Sequence, residues 1–222
     1  MIATDFRGML RLFSFGLVAN TLIRLKGIIG LPLLVYFFSK EDVGLLGYVQ
    51  AITSLLLPFI LLNMPDSANK ILLGSQRADE IDSSISSVSF LILLLACVIV
   101  FFVFEYKVAV LISFLIWIKV LYKLGTYKYQ VYQKPKKFLR FTFFMEYGFL
   151  LFLIFFWFID LDISLIEYLL FYIISTFLSI LINRVRFTFA IDFSSIINSI
   201  KPVLSVSLVL LPAAYFQILI QS

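Results

Sequence analysis

The feature that most limits what this chain can become is a succession of long apolar runs, such as "FLILLLACVIVFFVF" at 90–104 and "YGFLLFLIFFWFI" at 147–159. Several runs exceed roughly 18 residues with few charges, the length an α-helix needs to cross a hydrocarbon core of about 30 Å. The chain is 62% hydrophobic and only 14% charged over 222 residues. An ordinary soluble domain holds about 45–50% apolar and about 25% charged residues, and no soluble fold of this size could hide the excess. The expected fold class is therefore an all-α polytopic membrane protein.

Composition also removes several kinds of chemistry. There is no His and a single Cys, Cys97, set inside an apolar run. Disulfide frameworks, Cys-rich metal sites and Cys–His catalysis are excluded, and no cofactor or metal is expected. The net charge of +5 fits a positive-inside bias better than a nucleic-acid partner. The amino end, "MIATDFRGMLRLFSFG", passes into an apolar run too long for a secretory h-region of about 7–15 residues. It reads as an uncleaved first span.

Seven spans can be marked. The first covers 12–38 and ends at Ser39-Lys40-Glu41-Asp42. The second starts at Val43 and is broken by "NMPDSANK", where Pro65 stops or kinks it. The third covers 85–104, the fourth 108–131, the fifth 138–159 and the sixth 165–182. An amphipathic piece, "IDFSSIINSI", then leads to a seventh run at 203–222. This organisation is expected to be a six-helix lobe over 1–200, followed at 201–222 by the first helix of a second lobe, apparently truncated. Of the 18 Lys and Arg, fourteen fall on one side of this map, Lys40 and Lys107 on the other, and Arg24 and Lys26 mid-span. That asymmetry puts the amino terminus in the cytoplasm.

Charges at mid-depth are costly, about 2.5–3.5 kcal/mol each on insertion scales, so they usually face a cavity or a partner. Arg24 lies near the middle of the first span. At about 100° per residue, Asn20, Thr21, Gly27 and Ile28 share its face, whereas Lys26 lies about 160° away. Arg24 is thus the candidate for a wet interior, and Lys26 for a neighbouring helix or a portal. On the fourth span Lys119 and Lys123 share a face continued by Thr126, Gln130 and Gln133, which reads as the lining of a water-filled cavity. Acids at depth are few. Glu146 lies at a depth where it could pair with Lys123, and Asp66 could take Arg24 or Lys70. Cations outnumber anions, which suits an anionic cargo such as a pyrophosphate held by charge-assisted hydrogen bonds.

The first span with Asn20 and Arg24, followed by "LPLLVYFFSKEDVGLLGYVQAITSLLLPFILL", resembles the opening of bacterial polysaccharide (O-antigen) flippases. These belong to the multidrug/oligosaccharidyl-lipid/polysaccharide exporter superfamily. The turn Ser39 to Tyr48 is similar to that family's junction between its first two helices. "KPVLSVSLVLLP" is similar to the start of its seventh. "NMPDSANK" departs from its Gly-rich break.

The resemblance implies two six-helix lobes around a central cavity. Undecaprenyl-pyrophosphate-linked oligosaccharide, a precursor of lipopolysaccharide, would cross the inner membrane by alternating access. Arg24 matches a cationic position of the first helix. On this expectation Arg24, Asn20, Lys119 and Lys123 bind substrate, and Lys26, Asp66 and Glu146 are structural or coupling residues. The partners are the lipid-linked oligosaccharide, membrane lipid, and a missing second lobe or second copy. The alternatives are a multidrug or cation exporter of the same superfamily, an inactive fragment or an assembly partner. A membrane enzyme is disfavoured by the short external connections and the absence of His.

Overall fold

A computed structural model describes residues 6–72, 78–132, 134–185, 187–190 and 192–221. Its elements, in chain order, are α1 (Phe6–Phe37), α2 (Lys40–Leu61), α3 (Met64–Leu72), α4 (Ala78–Val103), α5 (Tyr106–Val131), α6 (Pro135–Phe158), α7 (Leu165–Asn183) and α8 (Phe193–Gln221). Among the described residues there is no strand, and six helices are long and apolar enough to cross a membrane.

The helix boundaries follow from local chemistry. α2 begins three residues before the expected Val43 because Ser39 caps it. The Ser39 hydroxyl accepts from the Asp42 N–H at 3.1 Å and donates to the Asp42 carboxylate at 2.8 Å. Glu41 and Asp42 complement the helix dipole in that first turn. α2 ends in a Schellman arrangement: the Leu62 N–H donates to Phe59 O and the Asn63 N–H to Pro58 O, both at 3.2 Å. Leu62 and Asn63 both take positive φ there, 46° and 53°, which is costly for side-chain-bearing residues. Pro65 then falls in the first turn of α3, where its missing N–H is harmless, so "NMPDSANK" forms a separate short helix.

α4 starts at Ala78, two turns before the expected residue 85. Asp79 and Glu80 favour a helix amino end more than a polar loop. Pro135 opens α6, and a reciprocal Ser164–Glu167 capping box opens α7. "FSSIINSI" and the seventh run as far as Gln221 fuse into one helix. Its start is capped by Asp192, which accepts from the Ser194 N–H at 3.1 Å, and the helix continues through Pro202 and Pro212.

The chain divides into two compact units. The first comprises Met1–Leu45 and Gln133–Val185, and the second Leu46–Tyr132 and Arg186–Ser222. In the first, α6 packs against both α1 and α7. Small residues allow the close approach. Gly30 meets Leu150, and a Cβ on Gly148 would lie 2.1 Å from the Ser175 hydroxyl oxygen. Ser175 and Ser179 each donate to a carbonyl of α6, those of Phe144 and Phe141, both at 3.3 Å.

In the second unit, α3 and α4 each pack against both α5 and α8. Val49, Met64, Ile85, Leu93, Ile112, Ile116, Leu124 and Val203 are fully buried there. Many large apolar side chains are exposed on the long helices, including Phe102, Ile166 and Val209. In water such coverage would be a severe liability, whereas in lipid it is the ordinary outer surface.

Candidate functional site

The in-span charges sort into two kinds. On α1, Lys26 turns toward α6. Its Nζ donates to Glu146 Oε2 at 2.6 Å and lies 5.1 Å from the centroid of the Phe149 ring. The lysine side chain is 29% exposed and the glutamate 12%. This position answers the question of partners for both residues: Glu146 takes Lys26, not the expected Lys123. Similar depth in the bilayer does not decide which helices are neighbours, and here α6 neighbours α1.

Arg24, two residues earlier, is exposed and makes no ion pair or hydrogen bond among the described residues. Its face of α1 is open. Thr21 donates to Leu17 O of its own helix at 2.9 Å. A Cβ added to Gly27 would meet nothing within 4 Å, and Ile28 is among the most exposed side chains. The Asn20 side chain lies outside the described residues.

α5 behaves differently, since its cations are already engaged. Lys119 Nζ donates to three acceptors of α2: Gln50 O at 3.3 Å, and the Thr53 and Ser54 hydroxyls, each at 2.9 Å. Lys123 pairs at 2.9 Å with Asp66 of α3, the two side chains being 37% and 44% exposed. Asp66 therefore takes Lys123 and not the expected Arg24; Lys70 lies among the residues whose side chains are not described. Thr126, expected to continue a wet stripe, is buried and donates to Lys123 O at 2.9 Å. Gln130 is exposed, and Gln133 lies outside the described residues.

A third α5 contact has no counterpart among the sequence expectations. Lys128 pairs at 2.9 Å with Asp82 of α4, the side chains being only 9% and 6% exposed, and lies 5.4 Å from the Phe187 ring centroid. Asp82 stands in "DEIDSS", which looks like a polar loop until α4 is seen to begin at Ala78. The available signal is the i, i+3 spacing of Asp79 and Asp82 in an acidic helix start. Beside this pair the Tyr132 phenol, just past the end of α5, donates to Asp79. Burial, reinforced by that bond and by the two carboxylates, pushes the phenol up from its ordinary range, so it stays protonated and donating. The buried Asp82 Oδ1 and Tyr127 hydroxyl have no hydrogen-bond partner among the described residues.

The fold and the in-span charges define an all-α, multi-pass membrane protein. No protein family, curated protein or solved structure matches the chain.

Proposed function

We propose that this chain forms one lobe of an alternating-access flippase. It carries undecaprenyl-pyrophosphate-linked oligosaccharide across the bacterial inner membrane, with its amino terminus in the cytoplasm. The single observation behind this reading is the contrast at Arg24. It is a permanent cation near mid-span on an open helix face, without a neutralising partner among the described residues. An unmatched guanidinium at that depth is too costly to keep as mere packing. Its planar fork suits the oxygens of a diphosphate. Lys119 and Lys123 are bonded within their own unit, so Arg24 carries the reading.

A cation exporter of the same superfamily would need a free acid at depth. Glu146, the candidate for that role, is neutralised by Lys26. Replacing Arg24 by Ala in the full-length protein is expected to abolish surface polysaccharide while leaving the protein in the membrane, with Arg24→Lys retaining part of the export. Normal polysaccharide from Arg24→Ala would remove this residue from the mechanism and the proposal with it.

A further inference from the structure

The first unit carries a groove that none of the charged clusters uses. It runs between α6 and α7, encloses about 520 Å³, and is walled by Phe144, Leu151 and Phe155 on one side and Phe171, Leu178 and Ile182 on the other. Gly148 and Ser175 make its floor. Gly148 contributes no side chain to fill it. The Ser175 hydroxyl is turned away to the Phe144 carbonyl, so the floor presents almost nothing polar. Glu146 lies on the opposite side of α6, against α1.

The thirteen residues from 144 to 156 span about 18 Å of helix, close to the ~15 Å depth of one leaflet. The groove therefore matches one acyl chain in length and in chemistry.

Its two ends differ in charge. Where it begins, the Arg140 guanidinium donates to Ile182 O at 2.6 Å, bridging α6 to the carboxyl end of α7. Arginine has five N–H donors, so others remain for a second acceptor. Arg184 follows at the end of α7 and is exposed, as are Lys136 and Lys137 one turn before Arg140. At the far end the connection to α7 carries exposed Asp160 and Asp162. A ligand with a negative head and an apolar tail is therefore accepted in one direction only.

We infer that this groove is a binding site for an anionic glycerophospholipid, one acyl chain lying between α6 and α7 and the headgroup phosphate held at Arg140 and Arg184. Neutral phospholipids fill the groove without that anchor. Basic pockets between transmembrane helices recognise anionic headgroups by the same electrostatics.

The test is native mass spectrometry of the full chain released from nanodiscs containing equal phosphatidylglycerol and phosphatidylcholine with identical acyl chains. One phosphatidylglycerol should be retained, with a preference on the order of tenfold over phosphatidylcholine from the two arginines. Arg140→Gln combined with Arg184→Gln should bring the two lipids to near parity, whereas Arg140→Lys should keep the preference. Leu178→Trp, which fills the groove and leaves the charges alone, should lose both lipids. Equal retention of the two lipids by the unaltered protein would overturn the assignment. So would an undiminished phosphatidylglycerol adduct in Leu178→Trp, or a lipid-free dimer whose formation Leu178→Trp abolishes.

Discussion

α1 and α5 both carry cations inside the span, and they treat them in opposite ways. α5 commits three lysines to its own unit: Lys119 to α2, Lys123 to α3 and, in its last turn, Lys128 to α4. α1 commits Lys26 to α6 and leaves Arg24, two residues away, without an ion pair among the described residues. The difference teaches that a charge within a span is not by itself a functional signal. Most such charges here act as fasteners between helices, and the informative one is the cation that fastens nothing.

That contrast can be broken at its strongest fastener first. Removing Lys128 leaves Asp82 buried and uncompensated, and breaking a buried pair in this way costs about 3–5 kcal/mol. Lys128→Ala is therefore expected to lower the thermal unfolding midpoint sharply and to reduce the folded yield in membranes. The double replacement Lys128→Met with Asp82→Leu should restore much of the loss, because an apolar pair of similar volume needs no compensation.

On α1 the fastener is weaker. Lys26→Met should destabilise by about 2 kcal/mol through the stranded Glu146 carboxylate, with partial recovery on adding Glu146→Leu. A double-mutant cycle on unfolding in detergent measures this coupling. The smallest effect is expected at Lys123, whose pair with Asp66 is more than one-third exposed on both sides. Lys123→Ala should change stability by less than about 1 kcal/mol, as exposed ion pairs generally do. If Lys123→Ala proved as damaging as Lys128→Ala, the ranking of fasteners by burial would fail.

Much of this is legible in the sequence. The long apolar runs defined the helices, and the 100° periodicity separated Arg24 from Lys26. Helix starts were harder. Ser39-Lys40-Glu41-Asp42 and "DEIDSS" look like loops by polarity, but Ser and acids are also what a helix amino end prefers, and both stretches lie at or inside helix starts.

Partner choice was not legible. Glu146 could be assigned a depth but not a neighbour, since depth is a one-dimensional property and pairing depends on which helices touch. Lys26 won because α6 packs on α1, a tertiary fact with no local sequence signal. The α6–α7 groove was invisible for a related reason: Gly148 and Ser175 mark a close crossing only once the two helices are known to meet.

The central claim is that position 24 faces water inside the membrane. Its most direct test replaces Arg24 by Cys in a Cys97→Ser background and measures alkylation by a charged, membrane-impermeant thiol reagent, with Val98→Cys on the exposed apolar face of α4 as the comparison. The reaction requires a thiolate, which forms in water and not in hydrocarbon. The account predicts rapid modification at position 24 and almost none at position 98. Equal inertness at the two positions would contradict it and return Arg24 to the class of structural charges.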